Sequence, residues 1–159
     1  MRIYCDTNGL PHNIRGKKCQ GELEALEHLA RRFELYGSRF VREEALNTKD
    51  ETLRDFLIVE CGALKPVPKD EKLMGFHSHF DRFGGFCCPM IADTHDDVLC
   101  EELKKHGLEP KDAQHITQAV CNDCDVFLTR DEKSIINPHG QWLETRLRPL
   151  KVLEALHAP

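Results

Sequence analysis

The sequence lacks the features of a membrane or an exported protein. No apolar run approaches the roughly 20 residues that a membrane-spanning helix needs. The N-terminus does not show the basic and then apolar plan of a secretory signal, because Arg2 is followed at once by a short strand pattern and by Asp6. Internal repeats are also absent. We therefore expect a cytoplasmic protein that does not associate with membranes.

An excess of positive charge is lacking too. The formal net charge is -5, from 22 Lys and Arg against 27 Asp and Glu. As an average this argues mildly against binding to nucleic acid. Carboxylates clustered around a metal, however, lower the net charge without excluding a basic substrate channel elsewhere. Arg15, Lys17 and Lys18 are candidates for contacts to backbone phosphates in such a channel.

The composition is typical of one globular domain. The chain has 159 residues, of which 40% are hydrophobic and 31% are charged. About two thirds of the unfolded surface of such a chain can be buried on folding, so a single core suffices. We expect one domain over residues 1–159.

Eight cysteines raise the question of disulfides or zinc. Disulfide frameworks belong to small secreted chains, so reduced thiols are expected. The residue types of a zinc site occur in two places, Cys121 with Cys124, and Cys87 and Cys88 with His77 and His79. A single CxxC is a weak signal, and cysteine is commonly a small buried apolar side chain. We favour packing and keep zinc as the alternative.

Hydrophobic patterns predict helices that alternate with short apolar strands. Strands are predicted at 2–5, within 36–41, at 126–129 and at 150–153, and helices at 19–33, from near 41, at 52–64, 96–106 and 110–120, and around 142–143. The continuous apolar run at 126–129 is typical of a parallel strand covered on both faces. This order predicts an α/β fold of three α/β/α layers around a central, mostly parallel sheet.

Residues 65–90 differ from the rest of the chain. They are rich in Gly, Pro and Phe and show no sustained period. A structureless segment of this length is uncommon inside a compact domain, so we expect a functional or partner-facing excursion that packs through its aromatic side chains. A small ordered subdomain is the alternative.

Three motifs place polar residues at the ends of these elements. Asp6-Thr7-Asn8 follows the first strand, and ligand sites gather beyond the carboxyl ends of strands in open α/β sheets. Asp112 opens a helix directly after Pro110 and Lys111. Thr129-Arg130-Asp131 ends the buried strand at 126–129.

Together these motifs resemble the PIN domain family over nearly the whole chain. The strongest part is the C-terminal third, where Asp112 is followed after 19 residues by Asp131 in a Thr-x-Asp motif. The resemblance implies a parallel-sheet α/β/α fold, dependence on Mg²⁺ or Mn²⁺, and ribonuclease activity on an RNA substrate. The family includes toxins of toxin–antitoxin pairs, so an antitoxin protein and a second copy of the chain are suggested partners.

The resemblance carries specific roles to residues of this chain. Hard divalent ions prefer oxygen ligands, and the four matching acids are Asp6, Glu44, Asp112 and Asp131. Asp6 and Asp131 would bind the metal directly, while the other two complete the site directly or through water. The polar neighbours Thr7, Asn8 and Thr129 would orient carboxylates or substrate phosphate.

Structural roles compete with these assignments. Asp6 or Asp112 would serve equally well to cap the turn or helix that follows, although capping does not explain all four acids. Glu43 and Glu44 point about 100° apart on a helix, so only one faces the site, and we choose Glu44. His115 lies three residues beyond Asp112, on the same side of its helix. We favour a packed histidine there over a metal or phosphate contact.

Two other functions fit part of the pattern. One is a non-catalytic RNA-binding or protein-interaction module on the same fold, with residues 65–90 as its contact surface. The other is an aspartyl-phosphate phosphatase, because Asp6-Thr7 also resembles the haloacid dehalogenase motif. That motif has a second aspartate two residues after the nucleophile, where this chain has Asn8. A metal-dependent endoribonuclease is therefore the leading hypothesis.

Overall fold

The computed structural model describes residues 1–11, 17–68 and 97–151. Within these ranges the strands form one parallel sheet with the order β3-β2-β1-β4-β5. The strands are β1 (Arg2–Cys5), β2 (Glu34–Gly37), β3 (Lys65–Pro66), β4 (Val126–Thr129) and β5 (Arg148–Lys151).

Six helices accompany the sheet in the described ranges: α1 (Lys17–Arg32), α2 (Arg39–Leu46), α3 (Glu51–Ala63), α4 (Asp97–Lys105), α5 (Pro110–Cys121) and α6 (Asn137–Leu143). A 3₁₀ turn at Thr7–Gly9 follows β1, and a π-helical turn at Glu132–Ile136 follows β4. The predicted PIN-like α/β/α fold is confirmed. None of these helices combines the length and the apolar character that crossing a bilayer requires.

The core lies around β1 and β4, which are neighbours at the centre of the sheet. Ile3, Tyr4 and Cys5 are fully buried in β1, and all four residues of β4 are buried. The rings of Tyr4 and Phe127 stack with centroids 5.7 Å apart. Continuous apolar runs form these strands because helices cover both faces of a parallel sheet.

A close approach of backbones fixes the turn after β1. The amide of Asp6 donates to the carbonyl of Leu128, which extends the pairing of β1 with β4. A Cβ atom on Gly9 would lie 2.4 Å from that carbonyl oxygen. Glycine is therefore the residue that lets the turn pack against β4, and the turn sets the direction of Asp6 and Thr7.

Several predicted boundaries are wrong, chiefly at the edges of the sheet. β2 begins at Glu34 and α2 at Arg39, both earlier than their patterns indicated. β5 is Arg148–Lys151 rather than 150–153, and β3 occupies the first two residues of the segment expected to be irregular. Both edge strands contain proline, which an edge tolerates because one side of the strand needs no hydrogen bond. Residues 69–96 lie outside the described ranges, and so does most of the predicted excursion.

The described cysteines are thiols that pack in or beside the core. Cys5, Cys100 and Cys124 are buried, and Cys61 and Cys121 are partly buried. Burial raises the pKa of the Cys124 thiol to about 11, so this side chain stays protonated near neutral pH. Neither Cys121 nor Cys124 belongs to a metal-ligand group within the described ranges. The other residues of the zinc alternative, Cys87, Cys88, His77 and His79, lie outside those ranges.

Candidate metal centre

Asp6, Glu44 and His115 converge at the carboxyl edge of the sheet. One ligand atom from each side chain lies within 4.8 Å of the other two. Nε2 of His115 is 3.3 Å from Oε2 of Glu44 and 4.0 Å from Oδ1 of Asp6. The three residues come from the end of β1, from α2 and from α5. The fold therefore brings together groups that are far apart in sequence.

Asp6 is held in the core by its neighbours on β4. Its side chain is buried, and Oδ2 accepts a hydrogen bond of 2.9 Å from the hydroxyl of Thr129. Burial raises the pKa of Asp6 above its ordinary value, although His115 and the Thr129 hydroxyl favour the ionised form. A buried carboxylate of this kind is stabilised by a nearby cation.

Glu44 faces the same point from α2. Its Oε2 accepts a hydrogen bond of 2.5 Å from the hydroxyl of Thr7. Partial burial alone would raise the pKa of Glu44, but hydrogen bonds from His115 and Thr7 lower it to about 2. Glu43, the preceding residue of the helix, is exposed. The structure thus directs Glu44, as chosen from the sequence, toward Asp6.

His115 is packed as expected, but its ring also joins the two carboxylates. Its side chain is only 2% exposed. Nδ1 lies 2.9 Å from the hydroxyl of Tyr4, which in turn lies 2.6 Å from Oγ of Ser38. Burial alone would lower the pKa of His115, but the hydrogen bond to Glu44 and the charge of Asp6 raise it. The sequence signal for this placement was its spacing of three residues from Asp112.

Asp112 and Asp131 lie beside the close group of Asp6, Glu44 and His115 but outside it. Asp112 is partly buried in the first turn of α5. Burial and then the negative charges of Asp6 and Asp131 raise its pKa to about 6. Oδ1 of Asp131 accepts the backbone N–H of Ser134 at 2.8 Å and so caps the π-helical turn. The predicted acids share one edge of the sheet, but Asp112 and Asp131 do not belong to the close group of ligand atoms.

The capping alternative therefore applies to a different residue from those first considered. Asp6 precedes the 3₁₀ turn without a side-chain capping bond. Helix α5 has Glu109 at its N-cap position, and Asp112 lies inside its first turn. Only Asp131 of these three acids makes the capping bond.

The predicted polar neighbours act in two different ways. Thr7 and Thr129 donate to Glu44 and Asp6, as described, and Oγ1 of Thr129 also accepts the Asp131 amide at 3.1 Å. Asn8 contributes its backbone carbonyl, which accepts a 2.6 Å hydrogen bond from Nε of Arg130. The two threonines therefore orient carboxylates, while Asn8 anchors the turn after β1.

Arg130 links this turn to a buried acid that the sequence analysis missed. Its Nη1 lies 3.1 and 3.2 Å from the two carboxylate oxygens of Glu22 on α1. Glu22 is fully buried. No local pattern connects residues 108 positions apart. The hydrogen bonds of Tyr4 with Ser38 and His115 were also missed, because the sequence identifies Tyr4 only as a strand residue.

A cleft opens beside Asp131 at this edge. It has a volume of about 570 Å³ and is lined by Asn8, Arg130, Asp131, Glu132, Lys133 and Asn137. Nζ of Lys111 lies on another side of the site, 3.8 Å from Oε1 of Glu44. Among the predicted phosphate contacts, Arg15 lies outside the described ranges, and Lys17 and Lys18 begin α1.

The donor set fits a divalent cation. Two carboxylates and an imidazole converge, and two more acids stand beside them. Magnesium and manganese accept carboxylate oxygen, and imidazole suits transition ions. Buried charges of one sign are stabilised by such an ion. The residues present are therefore suited to the metal that the PIN resemblance implies.

The chain has a PIN-like α/β/α fold, and a candidate metal centre lies at the carboxyl edge of its sheet. A chain in the crystal structure of VapBC2 from Rickettsia felis bound to a DNA fragment from their promoter is similar, with a TM-score of 0.56 and 14% sequence identity. The match covers 95% of this chain and 98% of that chain. No protein-family model and no curated protein matches the sequence. At this identity the likeness shows the fold.

Proposed function

We propose that this chain is a metal-dependent endoribonuclease that hydrolyses phosphodiester bonds of RNA. The observation that carries the proposal is the convergence of buried Asp6 and partly buried Glu44 with His115 at the carboxyl edge of a parallel PIN-like sheet. Asp112 and Asp131 complete the set of catalytic and metal-binding acids. The cofactor is Mg²⁺ or Mn²⁺.

The chemistry follows from the arrangement of acids. When bound, a divalent ion lowers the pKa of a coordinated water and stabilises the charge that develops on the phosphate. Thr129 and Thr7 keep the carboxylates of Asp6 and Glu44 aimed at one point, so little reorganisation is needed. No protein nucleophile is required, because water attacks the phosphorus and the leaving oxygen departs in line.

Substrate contacts are assigned to basic side chains around this edge. Lys111 lies beside Glu44, and Lys133 lines the cleft next to Asp131. Arg15, Lys17 and Lys18 remain our further candidates for contacts to the RNA backbone. Lysine and arginine bind phosphate oxygens through charge, independently of base sequence.

The likeness to VapBC2 supports a toxin role. VapBC2 is a toxin–antitoxin complex. We extend this to propose an antitoxin protein as a partner of this chain, and a homodimer as its assembly. Co-expression with the product of a neighbouring short reading frame tests the partner, since a stable complex on size-exclusion chromatography is expected.

Cleavage of a mixed RNA pool tests the activity. The full chain is assayed with Mn²⁺, with Mg²⁺ and after chelation by EDTA. We expect cleavage with either ion and none with EDTA, and loss of cleavage in Asp6→Asn and Asp131→Asn with circular dichroism unchanged. Glu43→Gln is the control, because this acid is exposed.

The outcomes separate the hypotheses. If both aspartate variants cut as fast as the parent, the site is misassigned. RNA binding without uptake of Mn²⁺ or Mg²⁺ and without cleavage would instead support a non-catalytic RNA-binding module on this fold.

A further inference from the structure

We propose that His115 is a nitrogen ligand of the divalent ion, and that the centre therefore selects transition ions of the Mn²⁺ class over Mg²⁺. This inference rests on the metal site of the proposed function and adds a ligand that the four-acid assignment does not contain. It rests on the position of Nε2, on the partners of Nδ1 and on the chemistry of imidazole.

The ligand atoms lie at spacings suited to one shared ion. Atoms that coordinate one ion at about 2.1 Å lie about 3 Å apart when adjacent and about 4 Å apart when opposite. Nε2 of His115 is 3.3 Å from Oε2 of Glu44 and 4.0 Å from Oδ1 of Asp6. Nε2 therefore lies at about the spacing of adjacent ligands from Oε2 and of opposite ligands from Oδ1, and small side-chain rotations would bring the three groups onto one ion.

The ring of His115 is oriented for binding through Nε2. A histidine that binds metal through Nε2 carries its proton on Nδ1 and donates it to a second partner. Here Nδ1 lies 2.9 Å from the hydroxyl oxygen of Tyr4. The Tyr4 hydroxyl can then donate to Oγ of Ser38, 2.6 Å away. Without metal, Nε2 donates its proton to Glu44. A cation that replaces this proton would meet the Nε2 lone pair, because the hydrogen bond to Tyr4 keeps the other proton on Nδ1.

Packing keeps the ring of His115 in this orientation. The side chain of His115 is 2% exposed, so it is not a surface histidine that points by chance toward an acid. Tyr4 and Phe40 each contact the ring edge-on, with centroids 6.0 Å away. A ligand held this way loses little side-chain entropy when it binds.

An imidazole ligand gives the centre a preference among divalent ions. Mg²⁺ takes oxygen ligands and keeps several waters, whereas imidazole nitrogen suits transition ions. Four carboxylates alone would offer little basis for distinguishing Mg²⁺ from Mn²⁺. An imidazole among them improves the site for Mn²⁺ or Co²⁺ and adds little for Mg²⁺.

A purely electrostatic role for His115 predicts the opposite effect of its removal on the affinity for Mn²⁺. If the ring served only as a positive partner for Glu44 and Asp6, removing it would remove a competitor of the metal. Mn²⁺ would then bind His115→Asn as tightly as the parent, or more tightly. If Nε2 is a ligand, the same substitution weakens Mn²⁺ binding.

The experiment measures binding rather than cleavage. Titration calorimetry with Mn²⁺ and with Mg²⁺ is carried out on the full chain, on His115→Asn and on His28→Asn, a control at a half-buried histidine of α1 that is outside the ligand group. We expect His115→Asn to weaken Mn²⁺ binding by at least about 10-fold. The affinity for Mg²⁺ should change by less than about 3-fold, and His28→Asn should resemble the parent.

Pulsed electron paramagnetic resonance of bound Mn²⁺ supplies a direct readout. The parent is expected to show hyperfine coupling to a histidine nitrogen, which ¹⁵N-histidine labelling shifts and His115→Asn removes. Tyr4→Phe should keep the coupling but weaken Mn²⁺ binding several-fold, since the ring loses its orienting partner. If His115→Asn fails to fold, the labelled parent alone decides.

The results distinguish this proposal from the proposed function. Mn²⁺ bound without nitrogen coupling overturns the His115 ligand and leaves the acidic nuclease site intact. Nitrogen coupling without RNA cleavage supports the ligand and overturns the nuclease. A chain that binds no Mn²⁺ at all overturns both.

Discussion

The hydroxyl of Thr7 donates to Oε2 of Glu44 at 2.5 Å and so ties the end of β1 to helix α2. Thr7 directly follows Asp6, whose other neighbour in space is Thr129 on β4. One short turn therefore sets the positions of two acids from different elements. The same contact explains why Glu44 rather than Glu43 faces the site.

Glu44→Gln is predicted to weaken Mn²⁺ binding by about 10-fold or more, because a neutral amide replaces a carboxylate ligand. Glu43→Gln changes the net charge equally but at an exposed position. Its affinity should match that of the parent. Titration calorimetry of the two variants side by side checks the prediction, and equal losses would show that only the overall charge matters.

Asp112→Asn is predicted to stabilise the metal-free protein above pH 6. Burial and the charges of Asp6 and Asp131 raise the pKa of Asp112 to about 6. The folded state thus holds a proton that the unfolded chain releases near pH 4, so the parent loses stability as the pH rises from about 4 to 6. A fully buried group with this shift would cost about 3 kcal/mol, and solvent screening reduces the cost here to about 1 to 2 kcal/mol.

Urea unfolding of the parent and Asp112→Asn at pH 4 and pH 7 measures this difference. We expect similar stability at pH 4 and a more stable variant at pH 7. Mn²⁺ should reduce the advantage at pH 7, since the cation relieves the repulsion between the carboxylates. A variant that is less stable at pH 7 without metal would contradict the assigned repulsion.

Arg130→Ala is predicted to cost about 3 to 5 kcal/mol of unfolding free energy, because it leaves the charge of Glu22 buried without its partner. Replacing both residues by Met should recover most of the loss. The exposed pair of Arg31 and Glu27 offers a control. Arg31→Ala should cost less than about 1 kcal/mol. Equal losses at the two sites in urea unfolding would rule out a structural role for the buried pair.

Gly9→Ala and Gly62→Ala are predicted to have opposite effects. A methyl group on Gly9 meets the Leu128 carbonyl at 2.4 Å, so the turn must shift, at a cost of about 1 to 3 kcal/mol. A methyl group on Gly62 in α3 meets nothing within 4 Å. That variant should gain up to about 1 kcal/mol, because alanine favours the helix. Thermal unfolding measures both, and a stable Gly9→Ala would contradict the packing of the turn.

The centre of the fold could be predicted from the sequence because its strands are buried on both faces. The apolar runs of β1 and β4 and the helical spacing of α3 and α5 match the structure closely. The edges could not be predicted in the same way. β3 has two residues and β5 contains Pro149, and neither carries a repeating apolar pattern.

Four acids were proposed for the site from the sequence, and the structure brings two of them, Asp6 and Glu44, into one close group. Asp112 and Asp131, which follow the same pattern of an acid opening a helix or ending a strand, lie outside that group. The direction of each side chain could not be predicted from the sequence. The capping bond of Asp131 and the convergence of His115 with the two carboxylates are therefore known only from the structure. Ion pairs between residues far apart in sequence, such as Glu22 and Arg130, produce no periodic sequence pattern either.

The pairing of β1 with β4 has a consequence for biosynthesis. Asp6 is synthesised before its hydroxyl partner Thr129, which lies 123 residues later, and before the ring of His115. A polypeptide still growing on the ribosome has the first carboxylates without the groups that aim them. The close group of Asp6, Glu44 and His115 therefore forms only after α5 has been synthesised and has packed beside β1.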